Sequence, residues 1–535
     1  MDLELLGADA PPGCVVETHR DGTILTWGVA NESAQPVAIS RVLLRGRTTG
    51  GTPERMLRNG WQSWSASGGG PIDPGTDARS DLVTVLAGDG GAMCLGFEGG
   101  ASHDGVFRVR GSDVIAEASL GDAVLAPGER RDLHRVRIEP GDPAVLLERW
   151  AKWAGERSAA RPDAPYRAGW CSWYQYFHGV TEAALRANLA RAPDWPIELF
   201  QLDDGYQAAI GEWLTCSDAF PSPLARLASD IASAGLIPGI WLAPFLVSPR
   251  SRTAAERPAW ILRAPSGDPV VGANDEAWGG EQFVLDTTHP DAQAHLEALA
   301  RRLVEMGWRY LKLDFTFAAA LSGRAHDASR SPAERVRLGF DALRRGAGED
   351  AFILGCGAPL GPCIGVADGM RIGPDVAPFW TPRPSVLGGS DDAPATRNAW
   401  RNTLARSFMH RRLWLNDPDC LLLRESDTDL TEEQRRAWAY AVAGSGGMVL
   451  ISDELALLDR AARTLLDEVL AIGRVVDEAS RSGTAPVCPD LLEHWTPAML
   501  ESGAWLLTGD PDRGTATIET PGRDRRGEMA DERQG

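Results

Sequence analysis

The sequence predicts a multidomain chain of α/β and β architecture: an N-terminal β-sandwich, a central (β/α)₈ TIM barrel and a small C-terminal β appendage. Three observations predict it. Residues 1 to 140 carry short alternating runs such as TILTWGVA, LVTVLA and VFRVRG, separated by Gly, Asp-Gly and Pro, which is how sandwich strands and their turns read. From residue 167 onward eight apolar segments alternate with amphipathic helical stretches over some 300 residues. After residue 471 only weak strand signals remain, WLLTG and TATIET.

The elements follow in order. A helical stretch, AVLLERWAKWAGERSAA, closes the first domain (1–157), and the Pro-bearing ARPDAP lies in a linker (158–166). The barrel (167–471) takes its strands from RAGWCSWY (167–174), IELFQLDD (197–204), LIPGIWLAPF (236–245), RYLKLDF (309–315), AFILGCG (351–357), GMRIG (369–373), RLWLND (412–417) and GMVLIS (447–452). These runs are almost continuously apolar because a parallel sheet is buried on both faces. Stretches such as TEAALRANLARA, DAQAHLEALARRLVEM and PAERVRLGFDALRRGAG supply the helices, and the interval between the fifth and sixth strands is too short for a full one. A doubly wound open sheet is the competing topology, but no GxGxxG follows the first strand. A small β domain (472–520) and a charged, disordered tail (521–535) complete the chain.

Composition removes several functions. Lys and Arg number 54 against 74 Asp and Glu, a formal charge of −20, which argues against nucleic acid or an anionic membrane as partner. The N-terminus lacks the basic and apolar regions of a secretory signal, no stretch has the length of a membrane span, and a cytoplasmic place is expected. Eight cysteines are scattered without CxxC or zinc spacing, as free thiols in a reducing compartment would be. Nineteen Trp provide an unusual supply of flat aromatic surface.

In a barrel, function is read at the C-terminal ends of the strands. Those ends carry Trp173 and Tyr174, Asp203 and Asp204, Trp241, Lys312 and Asp314, Cys356, Arg371 toward Asp375, and Asn416, Asp417 and Asp419. A carboxylate-lined mouth with aromatic walls suits a neutral sugar, since carboxylates accept hydroxyl hydrogen bonds and Trp faces cover the apolar side of a ring. A hard-cation site would also use several carboxylates, but histidines are absent from these strand ends and no EF-hand spacing occurs; no metal and no cofactor is expected. Lys312 and Asp314 alternate about Leu313, so both point into the barrel while Leu313 points to the helices. Lys312 is one of only two lysines among 54 cations, which suggests that a compact ammonium is wanted there. Asp204, Asp375 and the Asn416–Asp419 stretch have capping or turn formation as their alternative reading, and Trp241 and Cys356 have simple core packing.

Taken together, GWCSWYQYF, LFQLDDGYQ, GIWLAPF, YLKLDF, LGCGAPL, GMRIGPDVAPFW, LWLNDPDC and the N-terminal NGWQSWS resemble the α-galactosidases (melibiases) of glycoside hydrolase family 36, in that family's order, over roughly residues 55–455. The resemblance implies the same three-part fold and a retaining double displacement, with Asp314 as nucleophile and Asp375 as general acid/base. It implies that Asp203 and Asp204 read the O4 and O6 side of galactose, that Lys312, Arg371 and Cys356 hold other ring hydroxyls, and that Trp241 forms an aromatic wall. Tyr174 is included among the binding residues, Trp64 is the expected contribution of the N-terminal domain, and GEWL (Glu212, Trp213) matches the loop after the second strand. The expected activity is exo-hydrolysis of terminal α-galactosyl residues from small oligosaccharides of the melibiose and raffinose type. An α-N-acetylgalactosaminidase or a transglycosylase on the same scaffold, and more remotely a non-catalytic sugar-binding protein, are the alternatives.

Overall fold

The computed structural model describes residues 1–73 and 75–520. Two antiparallel sheets, of five and seven strands, form the N-terminal unit. Along Val37–Thr49 Ile39 is buried and, after a register shift in the pairing, alternation buries Val42 and Leu44, against a core that includes Trp27, Phe97 and Phe107. The helix Pro143–Arg157 follows, started by the Asp142 carboxylate accepting from the Ala144 N–H and by Pro143 in its first turn. Its Trp150 indole donates to the Phe97 carbonyl at 2.9 Å and fastens the helix to the sandwich.

The barrel strands are β1 (Ala168–Cys171), β2 (Leu199–Leu202), β3 (Ile237–Leu242), β4 (Tyr310–Leu313), β5 (Phe352–Gly355), β6 (Gly369–Arg371), β7 (Leu415–Asp417, resuming at Cys420–Leu421) and β8 (Val449–Ile451). All pair in parallel, and apart from half-buried Ile237 every residue in them is buried, which explains their unbroken apolar runs. Closure depends on β7 being split. Its first piece pairs with β6 and its second with β8, while the Met448 N–H donates to the Asn416 carbonyl at 2.9 Å. The break is marked by Pro418 and by Asp419 at φ +94°. Helices fill the intervals, among them Glu182–Leu189, Leu224–Ser233, Pro290–Glu305, Pro332–Ala347 and Glu432–Ser445. Only a four-residue helix, Leu360–Cys363, lies between β5 and β6.

Two features differ from the sequence reading. The helix Arg460–Arg481 runs without interruption through residue 471, where a domain boundary is expected, because its apolar stripe of Leu466, Val469, Leu470, Ile472 and Val476 stays buried along its whole length. The β appendage therefore begins later, as three antiparallel strands, Met499–Ser502, Trp505–Asp510 and Thr515–Glu519, seated beside the helix Glu432–Ser445. The second feature is an antiparallel hairpin, Val271–Asp275 and Gly280–Val284, inserted between β3 and β4, for which the sequence reading has no counterpart. The tail expected at 521–535 lies outside the described residues. Among those residues, no helix is long and apolar enough to cross a membrane.

The sandwich reaches the barrel mouth through the loop at residues 59–67. Arg406, fully buried, donates to the carbonyls of Ser63 (2.7 Å), Ile372 (2.8 Å), Gly60 (3.0 Å) and Gln62 (3.2 Å) and to the Asn59 side chain (3.1 Å). Burial, reinforced by the charge of Arg401, brings its guanidinium down to about 9, still protonated at neutral pH. Arg406→Met leaves the Ser63 and Gly60 carbonyls without a donor among the described residues, each at about 1–3 kcal/mol, while Ile372, Gln62 and Asn59 keep donors from Asn402, Ser65 and Ser67. A lower melting temperature together with a raised KM, through release of the Trp64 loop, is the expected outcome in calorimetry and kinetics.

Candidate active site

One cavity of about 360 Å³ opens at the C-terminal end of the barrel and collects Trp64, Asp203, Asp204, Trp241, Lys312, Asp314 and Asp375 from the N-terminal loop and from the ends of β2, β3, β4 and β6. Trp173, His178, Asp275, Trp278, Phe315, Leu387 and Asp392 complete its walls. The period-two alternation of β4 puts Lys312 and Asp314 on this side and buries Leu313 in the opposite direction.

Asp314 is held at both oxygens. The Phe315 N–H donates to Oδ1 at 2.8 Å, the Trp241 indole donates to Oδ2 at 2.9 Å, and the Lys312 ammonium lies 3.9 Å from Oδ2. Burial pushes its carboxyl above the ordinary aspartate value, and Lys312 opposes this; Asp375 adds to the rise and the Trp241 bond opposes it again. Lys312 also bonds Asp203 at 3.0 Å. Burial alone would lower the ammonium, but Asp203, Cys356 and Asp314 together outweigh it and hold the group charged. Lys312→Arg is expected to lose most activity while remaining folded, because a planar fork cannot occupy the point between two carboxylates; kinetics beside circular dichroism would check it.

The β2 end presents two differently supported carboxylates. Asp203 takes donors from Lys312, from the Gln201 amide and from the Cys171 thiol at 3.4 Å. Asp204 takes the Trp278 indole at 2.9 Å, the His178 ring at 3.1 Å and the Gln207 amide at 2.5 Å. Asp375, beyond β6, receives Arg371 Nη1 on Oδ1 at 2.9 Å, and no protein donor meets its Oδ2 among the described residues. Its side chain keeps 29% of its exposure, against 8% for Asp314, so Asp375 is the more open carboxylate of the pair.

Three expected binding residues stand behind the cavity wall instead of on it. Arg371 spends Nε on Asp417 (3.0 Å), Nη1 on Asp375 (2.9 Å) and Nη2 on Asp419 (2.8 Å), a fork that fixes the acid-rich rim. Tyr174 donates to Asp419, whose Oδ2 also accepts the Val376 N–H, so the Asn416–Asp419 stretch is both a turn and a brace for the Asp375 loop. Cys356 is fully buried beside Lys312 and Asp314. The β1 end presents Trp173 in place of Tyr174, because a helical turn, Trp173–Tyr176, begins there and strand alternation no longer applies.

Trp64 stands edge-on to Phe315 (centroids 5.1 Å) and Phe317 (6.0 Å). Gly357, at φ +48°, permits this approach: a Cβ there would lie 2.8 Å from the Trp64 ring. Trp213 packs on Trp241 from outside at 5.7 Å, while Glu212 turns away to bind Arg252. Glu212 and Arg252 line a larger groove of about 640 Å³ with Trp260 and His295, but the strand-end carboxylates are not on it. Sequence reasoning missed His178, Asp275 and Trp278. The turn-rich GANDEAWGG between two short apolar runs is the signal that could have revealed the hairpin. Among the described residues no group of three or more His, Cys, Asp and Glu is arranged to hold a metal ion.

Comparison with known proteins places this geometry. The melibiase family model matches residues 170–339. The α-galactosidase of Thermus thermophilus, solved in complex with p-nitrophenyl α-D-galactopyranoside, superposes with a TM-score of 0.69 at 28% identity, over 85% of this chain and 94% of that one. The chain is similar to the α-galactosidases of glycoside hydrolase family 36. Among curated relatives, α-galactosidase AgaA of Geobacillus stearothermophilus is 30% identical over 181 residues, 32% of this chain and 24% of that protein. The Escherichia coli α-galactosidase is 30% identical over 109 residues, 19% of this chain and 14% of that protein. The matched segment thus spans a quarter or less of these relatives. A family 36 structure from G. stearothermophilus shares the fold at TM-score 0.63 and 15% identity, over 95% of this chain and 73% of that one.

Proposed function

We propose that this chain is a retaining exo-α-galactosidase that removes terminal α-D-galactosyl residues from small oligosaccharides. The observation that carries the reading is the pair Asp314 and Asp375 facing one cavity in unlike settings, the first held by two N–H donors with the Lys312 ammonium 3.9 Å away and the second bonded, among the described residues, at one oxygen. In this mechanism the Asp314 carboxylate attacks the anomeric carbon while Asp375 gives its proton to the departing glycosidic oxygen. The galactosyl–Asp314 ester then forms, and Asp375, now ionised, draws a proton from a water that attacks the same carbon and frees the sugar. Lys312 and the Trp241 indole favour the ionised nucleophile against burial. Asp203 and Asp204 accept sugar hydroxyls, and the Trp64, Trp241 and Trp278 rings cover the apolar face.

The Thermus thermophilus protein has been solved with p-nitrophenyl α-D-galactopyranoside and with stachyose, which supports an α-galactoside as substrate here. The cavity is closed at its base by buried side chains, which favours a single terminal residue over the interior of a polymer. The test is nitrophenol release from the α-galactoside and the α-N-acetylgalactosaminide in parallel, with EDTA present. Turnover of the galactoside alone supports the reading, turnover of the acetamido sugar shifts its specificity, and absence of both overturns it.

A further inference from the structure

His178 lies in the loop after β1, on the short turn Phe177–Gly179. Its ring is wedged between two carboxylates from different parts of the chain. Nδ1 is 3.1 Å from Asp204 Oδ2, and Nε2 is 3.8 Å from Asp275 Oδ2. The loop is also keyed to the β2 end. A Cβ on Gly205, at φ +115°, would lie 2.9 Å from the Val180 side chain and 3.1 Å from the His178 carbonyl, so this turn and the Asp204 turn pack without a gap.

Asp275 is the last residue of the first hairpin strand, and its Oδ1 caps the turn that carries Trp278. Trp278 in turn donates to the same Asp204 oxygen that faces His178 and packs against Phe315 with centroids 5.0 Å apart. Gln207 holds the Oδ1 of Asp204, and the orientation of its Oδ2 depends on two donors, Trp278 and His178, the first of which rides on a half-exposed hairpin. A neutral imidazole that donates from Nδ1 turns the lone pair of Nε2 toward Asp275, which repels it; only the doubly protonated ring donates toward both carboxylates.

We infer that His178 is a positioning residue whose imidazolium bridges Asp204 to Asp275 and so clamps the Val271–Val284 hairpin, with Trp278, against the sugar-binding carboxylate. This inference rests on the reading of the cavity as a galactoside site. The charges facing the ring are Asp204 and, behind it, Asp203 from the β2 end, and Asp275 from the hairpin; Trp173 and Trp278 meet it edge-on. Lys312, Asp314 and Asp375 line the same cavity. The bond to Asp204 raises the imidazole above its ordinary value, burial opposes this, and the charges of Asp204, Asp275 and Asp203 add to the rise. The sign follows: the clamp is complete below the ordinary histidine value and is lost as pH rises through the raised one.

The experiment has two readouts on the full chain. Hydrogen exchange of peptides covering residues 271–284, corrected for intrinsic rates, is compared at pH 6 and pH 9 for wild type, His178→Gln and Asp275→Asn. Protection that falls at pH 9 in wild type, and is low and insensitive to pH in both variants, is the expected result. With the nitrophenyl galactoside, KM of wild type should rise severalfold over the same interval. In His178→Gln it should be raised throughout and flat with pH, while kcat changes less. Wild-type pH dependence retained in both variants would overturn the clamp. If wild type does not turn over the galactoside, exchange alone decides, and failure of the sugar reading stays separate from failure of the clamp. Asp275→Asn breaks the bridge from its other end, so misfolding of one variant still leaves a decisive one.

Discussion

Asp314→Asn is expected to lose turnover by several orders of magnitude on every α-galactoside while the protein remains folded. The amide has the size of the carboxylate but not its nucleophilicity, so the first displacement has no attacking group. The fold should tolerate the change, because Lys312 keeps its 3.0 Å partner Asp203 and the cavity loses one of several crowded negative charges. One local penalty follows from geometry. Both Asp314 oxygens now accept an N–H, from Phe315 and from Trp241, and the amide NH₂ must face one of those donors. The resulting unpaired donor costs about 1–3 kcal/mol, too little to account for the rate loss by unfolding. Steady-state kinetics beside a thermal melt separate the two effects. Residual activity within tenfold of wild type would remove Asp314 from the nucleophile's role.

Asp375→Asn is expected to discriminate between leaving groups. General acid assistance contributes about 10²–10⁴-fold where the departing alkoxide is strongly basic, as for a sugar, and little where it is a nitrophenolate. The substitution keeps the Oδ1 that Arg371 Nη1 meets at 2.9 Å, so the rim formed with Asp417 and Asp419 should persist. Loss of kcat/KM on raffinose should therefore far exceed loss on a dinitrophenyl galactoside, and with the activated substrate the second step should become limiting. Equal losses on both substrates would show that Asp375 serves geometry and not proton transfer.

Much of this was legible in the sequence, for identifiable reasons. The barrel strands announce themselves because a parallel sheet buried on both faces leaves uninterrupted apolar runs. The common direction of Lys312 and Asp314 follows from strand periodicity alone. Periodicity failed at Tyr174, where a helical turn replaces the strand two residues after Cys171 and brings Trp173 forward. It also says nothing about what Arg371 reaches, since Asp417 comes from the register of the neighbouring strand and Asp419 from the break that splits β7. The hairpin carrying Asp275 and Trp278 was hidden because its strands are five residues each, rich in Gly, Asp and Glu, and mostly half-exposed. His178 acquires a role only through partners 26 and 97 residues away, by the numbering of Asp204 and Asp275, that no local pattern connects to it.

The central claim is that Asp314 and Asp375 carry out two successive displacements at one carbon. The anomer released first tests it most directly. Proton NMR of p-nitrophenyl α-galactoside hydrolysis, recorded before mutarotation proceeds, should show α-galactose appearing first and the β-anomer growing in later. β-Galactose as the initial product would mean a single displacement and would contradict the assignment of Asp314 as nucleophile.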